Sequence, residues 1–192
     1  VINPPYFKYN VKTSPYSKAV ADLYKGDPNI YASFMAVVCA CLVDNGQLIS
    51  ITPRSFTNGL YFKGFRSFLL SKSALELIHI FKSRNKVFND KTASILQENI
   101  ICRFIKGQNL DEVEIRTSDC SGSISQTEDS TYSKNFIIDE IKDQNIIRIP
   151  ESKYEAQIML QAEKFNNTFE EVGYFISTGP VVEHRTREYI SE

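Results

Sequence analysis

The sequence has 192 residues, of which 42% are hydrophobic and 23% are charged, and these proportions are typical of a globular protein of one domain, or of one domain with part of another. Its 22 Lys and Arg residues balance 23 Asp and Glu residues. This balance neither indicates nor excludes a nucleic-acid partner, because a binding face can be basic on a neutral protein. The longest apolar stretch, residues 30–43, is shorter than the ~20 residues of a membrane span, which excludes a transmembrane helix there.

The cysteines and histidines are not spaced as metal ligands. No CxxC pair and no His-linked cluster occurs among Cys39, Cys41, Cys102 and Cys120, and His79 and His184 lie far apart in the sequence. Cys39 and Cys41 diverge on the helix predicted there, so they are poorly placed to form a disulfide. We therefore predict reduced thiols, no metal site and a cytoplasmic location.

Local patterns predict alternating strands and helices over the first part of the chain. Val1-Ile2 is interpreted as the end of a strand, followed by a loop at 3–17. A helix is predicted over 29–43, because Asp27-Pro28 precedes it and Asp44-Asn45-Gly46 ends it. The remaining predicted elements are a strand at 47–52, a helix at 60–71, and strands at 75–81, 95–106 and 113–117.

The order of these elements predicts an α/β fold with an open sheet. Strands joined by helical crossovers pair in parallel. Only a short connection containing Gly107 joins the last two strands, so residues 95–117 are predicted to form an antiparallel hairpin at the end of the sheet.

The composition changes after the predicted hairpin. Residues 120–133 are Ser, Thr, Gly, Asp and Glu almost throughout, as is typical of a linker or surface loop. A strand at 146–149, a helix at 152–165 and a short turn capped by Thr168 are predicted to form a smaller α+β extension. The predicted organisation is a first region at 1–118, a linker at 119–135 and an extension at 136–192.

The chain begins with two apolar residues, Val1-Ile2, and without Met. We interpret them as the last step of a strand whose beginning lies outside this sequence, and we expect the chain to be a fragment. A broken central strand leaves backbone groups of its neighbour unpaired, so we expect the fragment to associate with itself.

The tetrapeptide Asn3-Pro4-Pro5-Tyr6 follows this strand end and resembles the catalytic motif of amino methyltransferases. Its continuation resembles the adenine-specific DNA methyltransferases of bacterial restriction–modification systems. Further resemblances are Ile51-Thr52-Pro53, Val87-Phe88, Gln97-Glu98-Asn99 and Ser177-Thr178-Gly179-Pro180-Val181-Val182, so the resemblance covers most of the chain. It implies a Rossmann-like methyltransferase sheet, with residues 1–118 as its C-terminal, catalytic half and residues 136–192 leading into a DNA-recognition domain.

The residue types of the motif suit methylation of an adenine amino group. That nitrogen is a poor nucleophile because its lone pair is delocalised into the ring. The Asn3 side-chain oxygen and the Pro4 carbonyl offer two acceptors for its hydrogens, which favours the pyramidal form and stabilises the developing positive charge. Consecutive prolines hold that carbonyl in place. The resemblance further implies that Tyr6 and Phe88 stack on the two faces of a base swung out of the duplex.

Basic residues follow the ends of two predicted strands. Arg54 comes after the strand at 47–52, and Lys82, Arg84 and Lys86 come after the strand at 75–81. The carboxyl ends of parallel strands meet at one edge of a sheet, which is where open α/β sheets bind ligands. We therefore expect these cations at the same edge as Asn3, in contact with phosphates of double-stranded DNA.

The resemblance implies S-adenosylmethionine as the cofactor of the full-length parent, with Asn3 and Pro4 as partial contacts. Neither the Gly-rich turn for its methionine part nor the acidic ribose ligand is found in the sequence, so the fragment alone is expected to be inactive. Two alternatives stay open. The same tetrapeptide occurs in enzymes that methylate a glutamine amide in protein or guanine N2 in RNA, and a non-catalytic assembly or specificity subunit would keep the same fold. The long continuation beyond Thr117 favours DNA, because those other enzymes usually end soon after the sheet closes.

Overall fold

The computed structural model describes residues 1–10, 13–25, 29–82, 98–119, 127–140, 144–165 and 167–175, together with the backbone of short strands at 89–90 and 93–94. The chain divides into two compact units, Val1–Lys153 and Tyr154–Glu192. The first unit contains the sheet and the motif, and the second contains most of the last helix and a turn.

Five helices occur among the described residues. They are α1 (Pro15–Val20), α2 (Ile30–Cys41), α3 (Lys63–Lys72), α4 (Lys134–Ile137) and α5 (Lys153–Ala162), with 3-10 turns at Arg54–Phe56 and Leu60–Phe62. None of the helices in this described part is long and apolar enough to cross a bilayer.

The strands form one large sheet and two small ribbons. Their bounds are β1 (Gln47–Pro53), β2 (Ser73–Phe81), β3 (Asn89–Asp90), β4 (Ala93–Ser94), β5 (Asn99–Lys106), β6 (Glu112–Ser118), β7 (Glu128–Ser133), β8 (Ile138–Asp139) and β9 (Ile146–Ile147). The large sheet has the order β1-β5-β2-β6-β7. In it β5 is antiparallel to both β1 and β2, β6 is parallel to β2, and β7 is antiparallel to β6. The fold is therefore mixed α/β, and α/β is the fold class that the sequence predicted.

The predicted hairpin over 95–117 is wrong in its pairing. The chain does reverse direction between β5 and β6, but β2 lies between these two strands. The connection that starts at Gly107, which adopts a left-handed φ of 71°, must therefore cover two strand spacings, ~10 Å. Gly107 is also held to the end of α3, because its N–H donates to the Lys72 carbonyl at 3.0 Å. As a result β5 lies within the sheet, and the antiparallel strand at the end of the sheet is β7.

The predicted linker over 119–135 contains a strand. Residues 120–126 lie outside the described residues, but Glu128–Ser133 forms β7, which pairs with β6 over its full length. This strand is almost entirely polar because it lies at the edge of the sheet, where most of its side chains face solvent. Its composition therefore resembled that of a loop.

Several other predicted elements are confirmed. The helix predicted at 29–43 is α2, and the Asn29 side-chain oxygen caps it by accepting the Tyr31 N–H at 3.2 Å. The strands at 47–52, 75–81 and 113–117 are β1, β2 and β6, and the helix at 60–71 is a 3-10 turn followed by α3. In the second unit the Thr168 and Glu171 side chains each accept the other's backbone N–H, as the predicted cap requires. The loop predicted at 3–17 is shorter than expected, since α1 begins at Pro15.

The core of the first unit lies between the sheet and helices α2 and α3. Alternate residues of β1 and β5 are buried, among them Leu48, Ile100 and Phe104, whereas Ile49 and Ile101 on the other face are half-buried. The helices contribute fully buried apolar side chains such as Met35 and Phe65. Free thiols at Cys39 and Cys102 belong to this core, and burial raises the pKa of both.

Arg66 on α3 is a fully buried side chain that donates to three backbone carbonyls. Its Nη1 donates to the carbonyls of Phe56 (2.8 Å) and Gly59 (2.7 Å), and its Nε and Nη2 both donate to that of Gln144 (3.0 and 2.9 Å). Desolvation lowers the pKa of Arg66, but its ordinary value is so high that the guanidinium stays charged at neutral pH. The side chain thus ties the turns before α3 to the segment that leads into β9.

We predict that Arg66→Met destabilises the fold by about 3–5 kcal/mol, because each of the three carbonyls left without a donor costs ~1–3 kcal/mol. Urea unfolding would measure this loss. Arg66→Lys should recover only part of it, since one ammonium cannot reproduce the forked geometry.

Lys72→Met is the matched control, because Lys72 lies on the same helix with an exposed side chain. Its effect should stay within about 0.5 kcal/mol. A loss below about 1 kcal/mol for Arg66→Met would show that the carbonyls have other donors.

Candidate functional site

Two backbone hydrogen bonds fix the start of the chain against β1. The Ile2 N–H donates to the Ile49 carbonyl at 2.8 Å, and the Ile51 N–H donates to the Ile2 carbonyl at 3.1 Å. They form a parallel bridge between Ile2 and Ser50. This bridge agrees with the interpretation of Val1-Ile2 as the end of a strand beside β1, and it places Asn3 near the carboxyl end of β1.

Three residues of the motif differ in exposure. Asn3 is exposed, Pro4 is buried and Tyr6 is half-buried. Among the residues that the structure describes, none donates a hydrogen bond to the Pro4 carbonyl. The site therefore offers two oxygen acceptors on consecutive residues, one on a side chain and one on the backbone.

The Tyr6 hydroxyl lies between two oxygen atoms. Its Oη is 2.8 Å from Asn3 Oδ1 and 2.9 Å from the Ile51 carbonyl oxygen. Burial raises the pKa of Tyr6, so the hydroxyl keeps its proton at neutral pH. The motif is thereby linked to β1 through this side chain as well as through Ile2.

The ring of Tyr6 rests against an aromatic cluster. It meets the Tyr31 ring edge-on, with centroids 6.2 Å apart and planes at 87°. Tyr31 is itself buried, stacks on Phe62 at 5.5 Å, and shares a 3.0 Å hydrogen bond between its hydroxyl and Ser55 Oγ. The Tyr6 ring thus packs against buried aromatic residues of the core.

The predicted convergence at one sheet edge is confirmed for the described residues. Asn3, Arg54 and Lys82 each follow the end of a strand, namely that of Ile2, β1 and β2. Because β1 and β2 are both antiparallel to β5, they run in the same direction and end at the same edge. Phe88, Arg84 and Lys86 lie outside the described residues, so their predicted roles stay predictions.

Arg54 does not present a free cation at this edge. Its Nη1 forms ion pairs with Glu98, at 3.4 Å, and with Glu151, and its backbone N–H donates to the Glu98 carbonyl at 2.8 Å. A phosphate would have to compete with both carboxylates. Glu151 was not found from the sequence, because nothing in the local pattern links two residues so far apart in the chain.

Lys82 is more accessible than Arg54. Its ammonium pairs with Glu128 at 2.9 Å, but the two side chains are 44% and 79% exposed. Ion pairs of this exposed kind contribute little to stability, ~0–1 kcal/mol, so a competing phosphate can replace the carboxylate.

Other polar groups at the same end of the sheet lack partners. The side-chain oxygens of Thr52 and Asn99 are buried and accept no hydrogen bond from the described residues, and the same is true of Ser50 Oγ. Thr52 and Asn99 lie on neighbouring strands at the carboxyl end of β1. Asn99 belongs to the Gln97-Glu98-Asn99 stretch that resembled the family. No cluster of His, Cys, Asp and Glu in the described ranges is arranged to hold a metal ion.

Part of the chain matches a family of known proteins. Residues 1–88, which include the motif, α2, β1, α3 and β2, match the family described as "Eco57I restriction-modification methylase". The family match ends at residue 88, so it does not cover strands β3 to β9.

Two curated relatives align with the whole chain. The type II methyltransferase M.BsuBI of Bacillus subtilis is 34% identical over 195 residues, and the type II methyltransferase M.PstI of Providencia stuartii is 35% identical over 199 residues. Each alignment covers 100% of this chain but 37% of the relative. The chain therefore spans little more than a third of the length of these methyltransferases.

A solved structure has a fold similar to that of this chain. The modification subunit of a putative type I restriction enzyme from Vibrio vulnificus YJ016 superposes with a TM-score of 0.54 over 83% of this chain and 38% of that chain. At 12% sequence identity the likeness concerns the fold alone.

The ion pairs of Arg54 generate a prediction about duplex DNA, the partner expected from the sequence. Arg54→Gln should leave the salt dependence of DNA binding almost unchanged, because its guanidinium is already paired. Lys82→Gln should lower the slope of log K against log salt by about 0.9, the contribution of one phosphate contact. Fluorescence anisotropy over a salt series would measure both slopes. A loss of about 0.9 for Arg54→Gln would show instead that Arg54 leaves its carboxylates for a phosphate, as the sequence predicted.

Proposed function

We propose that this chain carries the catalytic motif of an S-adenosylmethionine-dependent DNA methyltransferase that modifies the N6 atom of adenine as part of restriction–modification. The observation that supports it most is the pair of acceptors on Asn3 and Pro4 at the carboxyl edge of the sheet, in a region that matches a restriction–modification methylase family. The names of the relatives support methyl transfer, and the resemblance of the motif and its continuation to adenine-specific enzymes supports adenine as the target base.

The two acceptors act on the target nitrogen. With one amino hydrogen donated to Asn3 Oδ1 and the other to the Pro4 carbonyl, the nitrogen becomes more pyramidal and its lone pair is freed for attack. The positive charge that develops on nitrogen during methyl transfer is stabilised by the same two oxygens. Because Ile2 is bonded to β1 and two prolines limit the backbone, these oxygens need little rearrangement when the charge develops.

The base reaches these acceptors only after leaving the duplex, since an amino group within the helix is paired and stacked. Tyr6 and Phe88 are proposed to hold the extruded adenine between their rings. The support of Tyr6 by the buried Tyr31 ring suits this role, because a fixed ring loses little entropy when a base stacks on it. Lys82 is more exposed than Arg54 and is proposed to meet the DNA backbone at this edge.

We propose that the cofactor binds at the same edge of the sheet, because open α/β sheets bind ligands there. S-adenosylmethionine supplies the methyl group as an electrophilic sulfonium when bound. Asn3 and Pro4 would hold the amino group for attack on that methyl, and such placement contributes strongly to the rate. We propose that most of the cofactor contacts come from residues outside these 192, and that residues 136–192 lead into a DNA-recognition domain.

We predict that Asn3→Ala in the full-length methyltransferase lowers the rate of methyl transfer by about 100- to 1,000-fold, the usual effect of removing one charge-stabilising group. Cofactor binding should change little, because the Asn3 side chain acts on the amino group. Transfer of a radiolabelled methyl group to duplex DNA would measure the rate, and mass spectrometry of the nucleosides would identify N6-methyladenine.

Asn58→Ala is the matched control, since Asn58 is an exposed asparagine away from the motif. It should retain the wild-type rate. Wild-type turnover by Asn3→Ala, or a methylated base other than adenine, would contradict the proposed function.

The base slot gives a separate prediction. Tyr6→Ala and Phe88→Ala should each weaken binding of DNA with 2-aminopurine at the target position by ~1–3 kcal/mol, the usual free energy of an aromatic–base stack. The fluorescence of the probe should show less quenching by stacked rings in both variants. Phe34→Ala removes a partly exposed ring of α2 and should leave the probe signal unchanged. If both slot variants gave the wild-type signal, the base would bind elsewhere.

A further inference from the structure

The pairing of Ile2 with β1 leaves one backbone acceptor without its regular donor. In a parallel ladder the donors on one strand alternate by two residues, and here the Ile2 N–H donates to the Ile49 carbonyl. The next donor on that strand would be the N–H of residue 4, directed to the Ile51 carbonyl. Residue 4 is a proline and has no N–H. The Ile51 carbonyl instead accepts from the Tyr6 hydroxyl, at 2.9 Å.

The Tyr6 hydroxyl has one proton but lies within hydrogen-bonding distance of two acceptor oxygens. Its Oη is also 2.8 Å from Asn3 Oδ1. A single proton satisfies one of these oxygens at a time. The conflict disappears if the proton goes to the Ile51 carbonyl and the Asn3 carboxamide turns by 180°, so that Asn3 Nδ2 donates to Tyr6 Oη.

We propose that the Tyr6 hydroxyl is a positioning group for Asn3, forming a relay in which Asn3 Nδ2 donates to Tyr6 Oη and Tyr6 Oη donates to the Ile51 carbonyl. In the relay Asn3 Oδ1 faces away from Tyr6 and toward the site, where both of its lone pairs are free. This inference rests on the proposed function, and it gives Tyr6 a second role besides stacking on the base.

The surroundings of the three residues support the relay. Asn3 Nδ2 has no other hydrogen-bond acceptor among the described residues, so donation to Tyr6 replaces no other hydrogen bond to them. The Tyr31 ring packs edge-on against the Tyr6 ring and holds its hydroxyl near β1. The raised pKa of Tyr6 keeps the proton on the hydroxyl over the range in which the enzyme would be assayed.

The orientation of the carboxamide decides the chemistry. With Oδ1 toward the adenine, the amino group finds an acceptor, whereas with Nδ2 toward it two donors face each other. Without the hydroxyl, nothing in the described residues distinguishes the two orientations of Asn3. The relay is therefore expected to affect the rate of the chemical step and not the binding of the base.

The test is Tyr6→Phe in the full-length methyltransferase, which keeps the ring and removes the hydroxyl. We expect kcat to fall about tenfold, as for the loss of one orienting hydrogen bond of ordinary strength. The KM for DNA and the 2-aminopurine signal should stay within about twofold of wild type, because the ring is retained. A kcat within about twofold of wild type would overturn the proposal.

Tyr24→Phe is the matched control, since its hydroxyl also bonds a neighbouring side chain, Ser33 Oγ at 3.2 Å, but does not touch the motif. It should keep the wild-type kcat. An equal fall in Tyr24→Phe and Tyr6→Phe would assign the effect to general stability and overturn the relay. A wild-type enzyme that produces no N6-methyladenine would refute the proposed function, which separates that failure from this one.

A second pair of variants tests the orientation directly. In Asn3→Asp both side-chain oxygens are acceptors, so no orientation needs to be set. We expect Tyr6→Phe to lower kcat less than about twofold in the Asn3→Asp background, against about tenfold in the Asn3 background. An equal fold loss in both backgrounds would show that the hydroxyl acts on something other than the carboxamide.

Discussion

The candidate site depends on the pair of backbone hydrogen bonds between Ile2 and β1. They are the contacts that turn a tetrapeptide near the end of a chain into part of a sheet edge. These two bonds set the position of Asn3 along β1 and the direction in which the chain leaves the sheet. They also bring Tyr6 close to Ile51. The prolines then limit the backbone at the point where the ladder stops, and the tyrosine supplies the donor that the first proline lacks.

The large sheet keeps a common edge for its functional residues despite its mixed pairing. Inserting antiparallel β5 between β1 and β2 preserves the common direction of those two strands, since each is reversed once relative to β5. The segments that follow β1 and β2 therefore emerge on the same side as Asn3. They are farther apart than adjacent parallel strands would place them, by the width of one strand.

What the sequence predicted well was local. Asn29 capped α2 as its residue type suggests, the alternation in Gln47–Pro53 gave β1, and the tetrapeptide identified the motif. The pairing of β5 and β6 was missed because Gly107 signals a reversal of the chain without indicating that β2 lies between the two strands. β7 was missed because an edge strand needs few apolar residues, so its composition resembles that of a loop.

The site was predicted in outline but not in its connections. Asn3, Arg54 and Lys82 were placed at one edge correctly, yet the partners of Arg54 come from Glu98 and Glu151, which only the fold brings near it. The buried Arg66 is a second example. An arginine within a helix is expected at the surface, and only the fold shows the backbone carbonyls that accept its hydrogen bonds. Contacts between residues distant in sequence carry no local signature.

The polar character of β7 has a consequence for how this sheet meets other molecules. A strand added alongside β7 would bring its backbone next to Glu128 and Asp129, whose side chains are exposed, and would draw charge away from water. Such an edge resists pairing with a foreign chain without needing a helix or loop to cover it. Residues whose composition is typical of a linker thus oppose the growth of the sheet between molecules. Replacing them by apolar β-branched residues would raise the strand propensity of β7 and would also promote aggregation.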